Sequence, residues 1–343
     1  MARGLRFAGH RFSLARVRPP PLWVIHFSAV RPSIRSWILI LCLPLVAMSA
    51  SSCSLVKGMA MKSMASAMQQ SSIVYARDED PELVGEALPF LLKTVEGLLV
   101  DRPNDATLLL TACQGFTSYA QAYVAVPADY REANDLEGAR AARQRATRLF
   151  LRARKYGMRA LELSYPGISK SIVDDPDKAL VKTKKKDVPL LFWTGAAWGG
   201  AISMSKTDMD LVADLGVANA LLQRANALDP HWNRGAVHEV LIALEAARSG
   251  GNGGSMDAAR KHFDTAVELS QGKKAGAYVT LAESVSIKEQ NLAEFRQLLN
   301  SALAVNVDAS PDDRLANVLA QRRARWLLAH TGDFFIDYDE GNP

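Results

Sequence analysis

His238-Glu239-Val240-Leu241-Ile242 begins like the zinc-protease motif, in which two imidazoles four residues apart on one helical face hold the metal. Ile242 stands where the second imidazole is needed, so no such site forms. Gly250-Gly251-Asn252-Gly253-Gly254 is rich enough in glycine to wrap a phosphate, but Ser255-Met256-Asp257 follows it, without the Lys-Ser/Thr pair of a P-loop. Four His follow Cys53, at positions 231, 238, 262 and 330, and none has a tight ligand spacing. The three cysteines, Cys42, Cys53 and Cys113, cannot supply a disulfide framework or a four-ligand zinc site. Cys113 lies in an apolar stretch, where a free thiol acts as a small buried hydrophobe. There is no G-x-S-x-G elbow around a nucleophile. The expectation is a protein that is not an enzyme, with no cofactor and no metal.

Binding is better provided for. Phe116, Tyr119 and Tyr123 share a helical stripe, and Phe192, Trp193 and Trp198 gather around Gly195, Ala196, Ala197, Gly199 and Gly200. Tyr119, Tyr123, Trp193 and Trp198 are candidate walls of a groove for a partly apolar ligand. Ordinary core packing, with glycines permitting close helix contact, accounts for the same residues, and both readings stand. Trp193 and Trp198 are five residues apart, about 140° around a helix, so at least one ring faces another helix. Arg145, Arg148, Arg152, Lys155 and Arg159 form a cationic stripe at spacings of three and four, a candidate surface for an anionic partner or a solvated face. The Lys182-Thr183-Lys184-Lys185-Lys186 run allows the same two readings.

These residues sit in a chain of 343 with formal charge +5, 48% hydrophobic and 22% charged, an ordinary globular composition. The basicity is local. Residues 1–52 carry seven Arg and no acid, leaving 34 basic against 36 acidic residues from Cys53 onward, which removes the case for a nucleic-acid partner. Arg31 and Arg35 precede an apolar run, Trp37 to Ala47, and small residues then lead to Cys53, the order of an export signal. At 11 residues the run is short of the roughly 20 that span a bilayer. Ala50-Ser51-Ser52-Cys53 resembles the bacterial lipobox, with Ala50 where Leu is usual; Cys53 is the expected lipidation site, and a plain cleaved signal is the alternative. Ser54 in place of Asp favours the outer membrane, with the mature chain periplasmic and held by its lipid alone. Residues 1–30, interrupted by Pro19-Pro20-Pro21, read as a gene-model artefact, with translation starting near Val30.

Strand patterns are scarce and helical periodicity dominates. From Leu136 to Leu163, Ala142, Ala146, Leu149, Phe150, Ala153, Gly157 and Ala160 recur three or four apart, and Pro166 closes the segment. Ala160-Leu161-Glu162-Leu163, Ala225-Asn226-Ala227-Leu228-Asp229-Pro230, Ala266-Val267-Glu268-Leu269 and Ala302-Leu303-Ala304-Val305 end alike, with Leu98 to Pro103 as a looser version. Tetratricopeptide repeats close their second helix this way, at a period of about 34 residues. Spacings of 65, 41 and 36 between the leading alanines make the repeat irregular, with a long insertion after Ala160. Gly167 to Pro189 is expected to be an exposed, mobile excursion. Ser255 is the expected N-cap of a helix starting at Met256. The fold expectation is all-α: an irregular TPR-like α-solenoid of ten or eleven helices. Residues 1–52 form the leader, 53–80 a tether and first helix, 81–336 the helical domain and 337–343 a tail.

From Leu91 to Phe335 the chain resembles the T-component family of TRAP transporters. Pro103-Asn104-Asp105 through LLLTACQGFTSYAQAYV, LLFWTGAAWGGAIS, LLQRANALDPHWNRGAVHEVL, GGNGGSMDAARKHFDTAVELSQGK, LAEFRQLLNSALAV and RLANVLAQRRARWLL carry the likeness, in order, over roughly 240 residues. The resemblance implies periplasmic lipoproteins with irregular TPR-like helices and, as partner, the TRAP substrate-binding (P) component, whose ligand they hold or pass. It supplies no catalytic residues. A helical-repeat scaffold in envelope assembly is the alternative; homo-oligomerisation and the small-molecule ligand's identity stay open.

Overall fold

The computed structural model describes residues 73–249 and 253–336. The leader, Cys53, Ser54, most of the tether and the tail from 337 lie outside them. Short polar side chains start half of the described helices by accepting backbone N–H groups that the first turn leaves unpaired. Asp80, Asp105, Asp135, Asp208, Ser255 and Asn291 all do so. The helices are α1 (Pro81–Asp101), α2 (Ala106–Ala120), α3 (Val126–Arg131), α4 (Leu136–Ser164), α5 (Ile168–Asp174), α6 (Pro176–Leu180) and α7 (Val188–Met204). They continue with α8 (Met209–Ala213), α9 (Leu215–Leu228), α10 (Ala236–Arg248), α11 (Met256–Ser270), α12 (Gly276–Leu281), α13 (Leu292–Ala304) and α14 (Arg314–Ala329). A π turn at Gln121–Ala125 joins α2 to α3, and a second, Ala282–Ser286, extends α12. Pro127 explains the first: it has no N–H for the carbonyl one turn back, and its ring pushes that carbonyl away. With each π turn counted as part of its helix, eleven helices of seven residues or more stand among the described residues, and no strand. The fold is all-α, an irregular α-solenoid.

Most helices pack on their neighbours in sequence, as stacked helical elements do. Three apolar clusters run along the chain. The first joins α1 and α2 to one side of α4, around Val95, Leu109 and Phe116. The second spans the other side of α4 through α7 and α9 to Leu241 and Leu244 of α10. The third begins at Ile242 of α10 and holds α11 to α14 around Phe295, Leu299 and Leu327. The four leading alanines of the repeated endings, Ala160, Ala225, Ala266 and Ala302, are all buried near the ends of α4, α9, α11 and α13. A side chain no larger than a methyl lets the next helix approach at each position.

The last helix comes back to the first, and the contact is polar. Arg322 of α14 binds Glu82 of α1 through both guanidinium nitrogens, and Arg77 pairs with Asp312 at 2.7 Å. Arg323 reaches Asp129 at 2.9 Å and Glu283 at 2.6 Å. Its guanidinium also lies over Trp326 and Tyr130, whose rings are 5.2 Å apart. Burial pushes the Glu283 carboxyl above its usual range, and the Arg323 charge opposes this.

One expectation is corrected. The stretch from Gly167 to Pro189 is a packed structure rather than a mobile excursion. Ile168, Ile172 and Leu180 are buried in the second cluster. Arg224 of α9 grips the strand-free loop at Val181 O and at Thr183 O and Oγ1. Asp187 is buried, accepting from Lys184 N at 2.8 Å and from the Tyr165 hydroxyl at 2.5 Å. Lysines on the surface of this segment conceal an apolar spacing of four and eight underneath.

A close three-helix contact lies at Gly157, where α2, α4 and α7 meet. A Cβ there would collide with Thr194 Oγ1 and lie 3.0 Å from Cys113 Sγ. Cys113 is fully buried, and burial pushes its thiol up to about 12. Gly157→Val should therefore overpack this contact by about 1–3 kcal/mol, read as a lower urea midpoint at unchanged slope; an unchanged midpoint would refute the three-helix contact.

Candidate functional site

Helix α4 is 29 residues long, and the Asp135 carboxylate fixes its start by accepting from Gly138 N at 2.8 Å. Ala139, Ala146, Phe150, Ala153, Gly157, Ala160 and Leu161 form its buried strip. The rest of its perimeter carries eight cations against two carboxylates, leaving 26 basic and 34 acidic residues elsewhere from Cys53 on. Helix α4 is thus strongly positive in a chain that is acidic elsewhere from Cys53 on.

The five residues of the cationic stripe divide into two kinds. Arg145, Arg152 and Arg159, seven apart, each lie over an aromatic ring: Tyr119 at 5.7 Å, Phe116 at 5.2 Å and Tyr156 at 5.8 Å. Such contacts are worth about 0.5–1 kcal/mol when exposed. Arg152 also pairs with Glu96 at 2.9 Å, and Arg159 donates to Pro103 O at 2.6 Å. Burial acts to raise the Glu96 carboxyl, but bonds from Lys93 and Tyr156 and the Arg152 charge hold it below its usual range. Arg148 and Lys155 are exposed and make no ion pair among the described residues.

On the next face of α4 lies a cleft of about 550 Å³, open to solvent. Leu151, Arg154, Lys155, Met158, Arg159 and Glu162 of α4 form one wall. Ser169 and Val173 of α5, Trp198 of α7 and Asp214 close it. The Trp198 indole donates to Asp214 Oδ2 at 3.1 Å, and Arg154 sits 4.6 Å over the same ring, 3.4 Å from the same oxygen. Burial presses the Arg154 guanidinium below its ordinary value, and Asp214 works against that. Glu162 accepts from Gly167 N and Ser169 N, which hold its carboxyl low.

Of the four rings expected to line one groove, the cleft has Trp198 alone. The helical phase separates the two tryptophans: Trp193 packs edge-on against Phe192 at 4.9 Å, in the second cluster. Tyr119 and Tyr123 stack on each other at 5.7 Å, with Tyr123 against Gly85 of α1, and no ring contact links them to either tryptophan. Burial raises the Tyr123 hydroxyl to about 12, and this buried oxygen has no hydrogen-bond partner. The cleft instead joins Trp198 to Lys155 and Arg159, which sequence reading placed in separate sites. Arg154, Met158 and Leu151 were legible only as further members of the α4 repeat, and nothing in the sequence marked Val173 or Asp214.

Two of the four histidines do meet. His238 Nδ1 of α10 lies 2.8 Å from His262 Nδ1 of α11, so one ring donates and the other accepts. No group of three or more metal-binding side chains occurs among the described residues. Burial, with His262 and His231 nearby, depresses His238 to about 4, and burial lowers His262 too. An unfolded chain therefore takes up protons first as pH falls below about 6.5. Stability should be full above that pH and fall progressively toward pH 4. His238→Gln should flatten this fall in thermal melts between pH 7 and 5, and an unchanged slope would exclude the pair as its source.

Comparison with known proteins agrees with this architecture. The TRAP transporter T-component family matches residues 77–335, which takes in every helix from α1 to α14. An uncharacterized protein of Treponema pallidum (strain Nichols) is 32% identical over 268 residues, covering 77% of this chain and 83% of that protein. A match over so much of the chain, on an all-helical fold organised around α4, makes this protein a member of the TRAP transporter T-component family.

Proposed function

We propose that the chain is an accessory periplasmic lipoprotein of a TRAP-type solute importer, anchored through Cys53, and that it docks the substrate-binding (P) component and holds or passes its ligand. Family membership makes it a transport component rather than an enzyme. No helix among the described residues is long and apolar enough to cross a membrane.

The observation that carries the docking role is the charge of α4. Eight cations on one helix, in a chain otherwise rich in acid, form a local positive field. Arg148 and Lys155 stand exposed on it, without partners among the described residues. Such a face steers an acidic protein surface and sets its orientation more than its final affinity. Arg145, Arg152 and Arg159, held over aromatic rings, add charge in fixed positions, which lowers the ordering cost of binding.

Biolayer interferometry with a TRAP P-component from the same organism tests the reading. Arg148→Glu with Lys155→Glu should weaken association on the order of tenfold, about 1.4 kcal/mol. The loss should fall mostly on the association rate and fade as salt is raised. Binding that ignores both the substitutions and the salt would place the docking surface elsewhere.

A further inference from the structure

The cleft beside α4 has a floor and a rim of different chemistry. Leu151, Met158, Val173 and the Trp198 ring give it apolar walls, while Arg154, Lys155 and Arg159 set three cations at its edge. The two carboxylates in it are already engaged. Asp214 takes the Trp198 N–H and the Arg154 guanidinium, and Glu162 takes two backbone N–H groups at the start of α5. Lys155 has no partner among the described residues, and Arg159 spends one nitrogen on Pro103 O. The site is therefore short of negative charge and offers an unfilled apolar surface, with Val173 58% exposed on its rim.

We infer that this cleft is the socket for an acidic loop of the protein partner, taking one apolar side chain beside Trp198 and Val173 and a flanking carboxylate at Lys155 and Arg159. The inference rests on the reading of α4 as the docking face and adds the anchor point. Its openness favours a protein segment. A small-molecule site encloses most of its ligand, roughly 70–90% of the surface, whereas this cleft is open to solvent. A loop that enters it would gain the rest of its burial from the adjoining surface, and Lys155 belongs both to the cleft and to the exposed stripe with Arg148. The positive excess of α4 supplies charge complementarity for an acidic segment and opposes a basic one.

The test uses the full mature chain and its cognate P-component. A photo-cross-linking benzoylphenylalanine at Val173 should capture the P-component, and the cross-linked peptide should contain Asp or Glu next to an aliphatic or aromatic residue. The same group at Phe90, exposed on α1, should capture little. Val173→Glu, at an exposed position that leaves the fold intact, should lower affinity about tenfold with an unchanged melting curve. If Arg148→Glu weakens binding but Val173→Glu does not, or the captured peptide lacks acid, the socket is overturned and the docking face survives. Absence of any binding by the unaltered chain overturns both. Retention of a small organic acid at Val173 in place of a protein cross-link would also overturn the socket, assigning the cleft to a free ligand.

Discussion

Helix α4 can be surrounded on two sides because its inward strip is made mostly of alanine and glycine. Gly157 brings α2 and α7 within contact of one backbone position, and Ala139, Ala146, Ala153 and Ala160 continue the same strip over a helix about 43 Å long. A strip this narrow buries little of the helix perimeter. The remaining positions must be solvated, and long cationic side chains suit them, covering apolar surface with their stems while keeping charge in water. The packing constraint and the positive face are thus two consequences of one sequence pattern. The aromatic rings under Arg145, Arg152 and Arg159 come from the neighbouring helix α2 and from α4 itself.

The solenoid shows a division between apolar and polar joints. Between successive helices the contact is hydrophobic, and α4 and α10 each contribute to two clusters and so carry the core from one end to the other. Where the chain returns on itself, charge does the joining. The exposed pair Arg322–Glu82 contributes little, since surface ion pairs are worth about 0–1 kcal/mol. Arg323 is different, being largely buried between Asp129, Glu283 and the rings of Tyr130 and Trp326. Removal of one partner there would leave buried charge uncompensated. Specific closure of α14 on the α1–α3 end follows from that geometry more than from buried area.

Features confined to one helix were legible before the structure. The α4 strip and the cationic stripe could be read because both repeat within a single helical period. The alanines near the ends of α4, α9, α11 and α13 could be read because each heads the same short ending. The Ser255 cap behaved likewise, accepting from Ala258 N at 2.9 Å. The cleft could not be read, because Val173, Trp198 and Asp214 come from separate elements whose meeting depends on how α5 and α7 lie against α4. The packing of residues 167–189 was hidden for a related reason: Ile168, Ile172 and Leu180 are few, and Arg224, which fastens that loop, lies far along the chain.

The central claim is that one helix serves both as the packing spine and as the face offered to the partner. Hydroxyl-radical footprinting of the chain, free and saturated with its cognate P-component, addresses it most directly. The account predicts protection of Leu151, Met158 and Val173 in the cleft, with Phe90 and Met209 unchanged. Protection of Phe90 or Met209, with the α4 side chains as reactive as in the free protein, would contradict it.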